Sequence, residues 1–300
     1  MNRIRGKLCI SLAFFLAGSS VVAAGYVADT LGPFTITGIS LVFAGFTAFV
    51  LSNKKMLASF RTITAQKWKN LVWQSLIGVF LFRVLLTFGL QRTSAAEAGI
   101  LIGTSPAITA VLTRLLLREP LSGHKIAGIG ATLAGMAVLQ GFPFTLGAFS
   151  MSHLLGNLLV LGSAACESAF VLIARAMAFK EDRQAPPLDP IVHSGYVSLI
   201  SLLACLPLML WENQLGSLPA LSTGGWLSLA WYGGMVTVIA FACMFYGART
   251  CDGYTLAAFS GLIPVTALLL SAAILGETVT ARHCIGCACI VIAILLMNRR

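Results

Sequence analysis

The chain has 300 residues, of which 58% are hydrophobic and 10% charged, against roughly 45 to 50% and about 25% in an ordinary soluble domain. Water is therefore excluded as its main solvent. The formal net charge of +10 is spread between apolar stretches instead of being massed in one basic region, which argues against nucleic acid as a partner.

In chain order, ten apolar stretches are predicted as spanning helices, at about 7–25, 33–52, 70–90, 94–115, 123–140, 155–177, 190–210, 224–247, 253–275 and 281–298. Each approaches the roughly 17 to 25 residues that a hydrocarbon core demands. The first follows Arg3, Arg5 and Lys7 and has small residues near Ala23 and Ala24, as a secretory signal does; nine further spans favour reading it as helix one. Ten spans leave no room for a soluble domain. With a cytoplasmic N-terminus, both termini lie inside, and 17 of the 20 Lys and Arg residues fall on that side, with only Arg92 and Arg282 outside and Arg83 within a helix. That is the positive-inside bias. Lys54, Lys55, Arg61, Lys67 and Lys69 are expected after helix two, and Lys180 and Arg183 after helix six. The five tryptophans, Trp68, Trp73, Trp211, Trp226 and Trp231, fall at or near predicted helix ends, where amphipathic rings meet headgroups.

Cys284, Cys287 and Cys289 lie in an apolar helix without a second ligand pair, so packing is favoured over metal ligation. No metal, cofactor or disulfide framework is expected. His124, His153, His193 and His283 lie near helix ends without catalytic spacing, and a surface role is expected for each.

The chain also repeats itself. Gly89, Gly103, Pro106, Glu119, Ser122 and Gly128 recur 158 residues later as Gly247, Gly261, Pro264, Glu277, Thr280 and Gly286. Five spans per half is an odd number, so the second half enters the membrane from the opposite side, as in the inverted repeats of transporters. The predicted fold is an all-α polytopic membrane protein of ten transmembrane helices arranged as two inverted five-helix repeats, 1–145 and 146–300, with both termini cytoplasmic.

Pro106 and Pro264 withhold an N–H from the carbonyls of Ile102 and Ser260, and Gly103 and Gly261 precede them by about one turn. These four residues are candidate hinges. Glu119 and Glu277, followed by the N-cap candidates Ser122 and Thr280, have a structural role as acids at helix starts. Ala127, Ala131 and Gly135 form a predicted small-residue ridge on helix five.

Three charges remain within spans: Arg83 in helix three, Glu97 early in helix four and Glu167 in helix six. Each is costly in hydrocarbon and is expected to face the interior or water. At about 1.5 Å per residue, Glu167 and Arg83 lie roughly 18 Å and 13 Å deep, and Glu97 only about 5 Å. A cation and a carboxylate in a central cavity suit a zwitterionic solute, with one glutamate exchanging protons. The alternative is a permanent Arg83–Glu167 ion pair that only fixes helix packing. Ser105, Tyr246 and Asn157 are polar companions on helices four, eight and six, with helix-to-helix hydrogen bonding as the competing reading.

Gly18-Ser19, Gly89-Leu90, TSAAEAGILIGTSPAITAVLTRLLLREPL over residues 93–121 and LAAFSGLIPVTALLLSAAILGETVT over 256–280 resemble the EamA-type branch of the drug/metabolite transporter superfamily. The resemblance covers nearly the whole chain. It implies a central cavity from helices one to four and six to nine, peripheral helices five and ten, and transport of small metabolites, commonly outward, by exchange or proton coupling. Where the family often places tryptophans in helices one and six, this chain has Ala17 and Glu167. The expected function is a secondary active transporter of the bacterial inner membrane that exports small organic metabolites such as amino acids by proton-coupled antiport or exchange. Its partners would be a small-molecule substrate, the lipid bilayer and protons, in a monomer or homodimer and without nucleic acid. A nucleotide-sugar or phosphate-ester antiporter is the alternative among transporters. No phosphate-binding GxxxxGK[ST] loop is present, and no nucleophile with a base supports a polytopic membrane enzyme.

Overall fold

The computed structural model describes residues 2–27, 30–90, 92, 101–102, 104–118, 122–139, 151–179, 188–275 and 281–298. These form helices and no strand. We number ten helical stretches: α1 (Asn2–Gly25), α2 (Pro33–Phe60), α3 (65–90), α4 (Ser105–Leu117), α5 (Gly123–Leu139), α6 (Met151–Phe179), α7 (Pro190–Glu212), α8 (Thr223–Thr250), α9 (253–275) and α10 (Ala281–Asn298). Short π-helical segments interrupt α3, α4, α8 and α9. Five stretches, Pro33–Phe60, Ala65–Leu86, Leu154–Met177, Pro190–Glu212 and Thr223–Thr250, are long and apolar enough to cross a membrane. Large apolar side chains such as Phe46, Leu203 and Leu227 are exposed on the outside of the bundle, where hydrocarbon replaces water as the solvent. This is a polytopic membrane architecture.

Several helices outrun their apolar stretches. Helix α2 continues to Phe60, past a non-helical Ser52, so Lys54 and Lys55 lie on its last turns instead of in a loop. Lys67 and Lys69 lie on the first turns of α3. Backbone hydrogen bonding continues into the headgroup region, where hydropathy no longer marks a helix. On α5 the predicted ridge is displaced: Ala127 is exposed, whereas Gly128, Thr132 and Gly135 are buried. A strict spacing of four drifts around a helix of 3.6 residues per turn, and the 4,3 spacing follows the contact instead. Gly286 and Ala293 are buried on α10, 158 residues from Gly128 and Gly135, where α5 and α10 pack on each other.

Helix pairing is exchanged along the chain. Helix α1 packs on α8 and α9, while α6 packs on α3 and α4; α2 pairs with α7, and α4 with α9. The recurring glycines explain the first two contacts. A Cβ at Gly89 would meet the Val160 side chain and stand 3.1 Å from the Gly156 carbonyl oxygen. One at Gly247 would meet Ile10 and stand 3.4 Å from that of Gly6. Gly6 and Ile10 precede Gly156 and Val160 by 150 residues, so the same close approach is built twice.

Two ends of the bundle are tied by polar contacts. At one, Glu212 closes α7 and accepts from Phe34 N (3.2 Å), Thr35 N (2.6 Å) and Thr35 Oγ1 (2.6 Å) at the start of α2, an acid at the positive end of a helix dipole. At the other, where α1 begins, Tyr196 donates to the Met56 carbonyl (2.7 Å) and Arg175 to that of Ala248 (2.5 Å). His193 is buried there, against the expectation of a surface role. It bonds Gln74 (2.7 Å) and stacks on Phe245 at 3.7 Å, and Gln74 donates to the Phe170 carbonyl (3.3 Å). Trp231, with its ring still exposed, donates from Nε1 to Ser19 Oγ (3.0 Å) and ties α8 to α1.

Candidate functional site

Between α1, α3, α6 and α8 lies a cavity of about 170 Å³. Phe14, Phe82, Phe170 and Phe241 supply aromatic walls, and Arg83 and Glu167 line the same space. Two helices, α3 and α6, thus bring to one cavity a cation and an acid that are 84 residues apart in sequence.

Arg83 is held on two sides. Its Nη1 donates to Thr37 Oγ1 of α2 (2.9 Å), its Nη2 to the Tyr232 hydroxyl of α8, and its guanidinium carbon stands 5.1 Å from the Tyr232 ring centroid. Thr37 is itself tied to the Pro33 carbonyl (2.6 Å). A guanidinium has five N–H donors, so two spent on these partners leave a fork that can meet a carboxylate.

Glu167 forms no ion pair with Arg83. Its Oε2 instead accepts from Ser105 Oγ of α4 at 3.0 Å. The permanent Arg83–Glu167 pair is thus absent, because each group is held by neutral partners on other helices. The same Ser105 hydroxyl has a second acceptor in reach, the Ile102 carbonyl at 2.8 Å, the group that Pro106 leaves without an N–H. Both prolines stand in the first turn of a new helical segment: the N-cap Thr104 precedes Ser105 and Pro106, and α9 breaks at Gly261, three residues before Pro264. Proline is tolerated in a first turn because no N–H is needed there.

Of the other predicted site residues, Tyr246 and Asn157 do not line the cavity. Ser122 stands directly before α5, and its carbonyl accepts from Lys125 and Ile126. Glu97, Gly103, Glu119, Glu277 and Thr280 lie outside the described residues. Tyr232 and Thr37 were not singled out by sequence. A tyrosine within an apolar stretch and a threonine near a helix start carry no periodic signal, and only the fold brings them to Arg83.

The cavity also exposes the broken symmetry of the repeat. At an offset of 158, Arg83 corresponds to Phe241, and both line the cavity; Ser105 corresponds to Ile263, which lines it as well. At 150, Glu167 and Phe170 correspond to Ala17 and Ser20, again all cavity residues.

Among the described residues, an apolar helical bundle of membrane-spanning character holds a cavity lined by both a cation and an acid. The EamA-like transporter family model matches twice, over residues 4–140 and 154–299, and the chain belongs to that family. The two matches start 150 residues apart, the offset that relates α1 to α6. The uncharacterized transporter YetK of Bacillus subtilis (strain 168) is 28% identical over 282 residues, covering 94% of this chain and 83% of its own. The S-adenosylmethionine/S-adenosylhomocysteine transporter of Chlamydia muridarum (strain MoPn / Nigg) is 33% identical over 129 residues, 43% of this chain and 40% of its own. A crystal structure of a protein 22% identical shares the fold, with a TM-score of 0.79 over 99% of this chain and 97% of that one.

Proposed function

We propose that the protein is a secondary active transporter that exports small zwitterionic metabolites, amino acids foremost, across the bacterial inner membrane in exchange for protons. The observation that carries this reading is the cavity that Arg83 and Glu167 both line without pairing. A solute carboxylate has the Arg83 fork, a solute ammonium has Glu167, and the phenylalanines take an apolar side chain. Both S-adenosylmethionine and S-adenosylhomocysteine, named for the Chlamydia relative, carry an α-amino carboxylate head, which suits the same pair.

In this reading ten spans form two inverted repeats, 1–145 and 146–300, with both termini cytoplasmic. Support comes from the exchanged packing of α1 and α6 and from the meeting of the start of α1 with the ends of α6 and α8. Gly103, Pro106, Gly261 and Pro264 serve as hinges, and Glu167 carries the proton. Counterflow of leucine, methionine and phenylalanine into proteoliposomes, with and without a pH gradient, tests the reading. Glu167→Gln is expected to lower gradient-driven flux at least tenfold while the protein remains folded. Gradient-driven flux at the wild-type rate in that variant would sink the proton-carrier role.

A further inference from the structure

We infer that Ser105 is a positioning residue that passes the protonation state of Glu167 to the turn at Thr104 where α4 begins; this rests on Glu167 as the proton carrier. The Ser105 hydroxyl has one proton and two acceptors in reach, the Glu167 Oε2 at 3.0 Å and the Ile102 carbonyl at 2.8 Å. It can serve only one at a time. Ser168, next to Glu167, has both the Ser105 carbonyl (3.1 Å) and the Ala164 carbonyl (2.9 Å) in reach of its hydroxyl, which places α4 and α6 in contact at this residue.

With Glu167 ionised, the charge-assisted bond is the stronger, and the hydroxyl proton turns to the carboxylate. The Ile102 carbonyl, already denied an N–H by Pro106, then loses its remaining donor. When a proton from the cavity binds the carboxylate, the new O–H donates to Ser105 Oγ, and the serine proton swings back to the Ile102 carbonyl. The result is a chain of two cooperative hydrogen bonds in which Ser105 gains and loses no proton. Protonation tightens the turn at the start of α4, and ionisation loosens it.

Of the ionisable groups on helices packed against α6, Arg83 of α3 and Tyr232 of α8 share the cavity with Glu167. Arg249 of α8 turns to the Leu188 carbonyl, Arg175 of α6 itself to that of Ala248, and Asp252 before α9 pairs with Lys125. Arg114 stands in the last turns of α4, and Cys243, Tyr246 and Tyr254 do not line the cavity. The device is one-sided: the corresponding residues Ile263 and Ala17 have neither hydroxyl nor acid.

Amide hydrogen exchange of the full-length protein in nanodiscs, between pH 5 and 9 and without solute, tests this. Exchange in peptides covering Ser105–Leu112, referenced to the corresponding segment of α9, is expected to show one pH-dependent transition. Glu167→Gln, whose amide can donate to Ser105, is expected to hold the protected form at every pH. Ser105→Ala is expected to shrink the transition at least fivefold, and Ser105→Thr to retain it. An unchanged transition in Ser105→Ala alongside its loss in Glu167→Gln would overturn the relay and leave Glu167 as the carrier; no transition in the wild type would overturn it as well. If Ser105→Ala does not fold, Ser105→Cys, with a much weaker donor, must reduce the amplitude, and an unchanged amplitude counts against the relay.

Discussion

The α3 and α6 side of the cavity carries Arg83 and Glu167, the latter held from behind by Ser105 of α4, whereas the corresponding positions on α8, α9 and α1 are Phe241, Ile263 and Ala17. The helices on the two sides are matched closely enough that Gly89 against Gly156 and Gly247 against Gly6 make the same backbone approach. Duplication therefore preserved the contacts that hold helices together and released those that line the cavity. A buried charge is costly in hydrocarbon, so a second copy of each would add that cost again.

The largest expected effect separates the two sides directly. Arg83→Ala removes donors of charge-assisted hydrogen bonds, about 1.5 to 3 kcal/mol each, and is expected to lower counterflow about a hundredfold. Phe241→Ala, at the corresponding position, is expected to cost less than tenfold, since it removes area and no charge. Equal losses would remove the distinction between a polar and an apolar side.

The frame should respond evenly where the site does not. Gly89→Val and Gly247→Val each force a side chain against a neighbouring helix, and overpacking of this kind costs about 1 to 3 kcal/mol. Thermal unfolding in detergent should show similar losses in the two variants; a large loss in one alone would mean that the repeated glycines do different work.

The smallest effect lies outside the membrane. Asp189 caps α7 through the Ile191 N–H (3.0 Å) and pairs with Lys55 (2.7 Å). Burial pushes its carboxyl up, but these bonds and the Lys55 charge outweigh burial and hold it below the usual carboxylate range. Its contribution is therefore present above the unfolded value of about 3.9 and is lost as the pH falls through the lowered folded value. Lys55 is largely exposed, so Asp189→Asn should cost only about 0.2 to 1 kcal/mol. The difference from wild type in detergent melts should shrink towards zero at acidic pH; a difference that grows there would reverse the sign.

Much of this contrast was legible before the fold. Composition and apolar run length required a helical membrane protein, because backbone polar groups in lipid must be satisfied within helices. The recurrence from Gly89 to Gly286 marked the duplication, and the intolerance of hydrocarbon for charge picked out Arg83 and Glu167. Helix limits at Phe60, the buried His193 and the register of Gly128, Thr132 and Gly135 were not legible, since hydropathy records a residue's solvent but not its neighbour.

Sequence by itself determined which residues must avoid lipid and which positions were copied, since both follow from the chemistry of single side chains and their spacing. Only the tertiary structure decided that Arg83 is held by Thr37 and Tyr232, that Glu167 is held by Ser105, and that the two charges share a cavity without pairing. Those contacts join helices far apart in the chain, and hydrogen-bond reach of about 3 Å is a property of packed helices that no local pattern encodes.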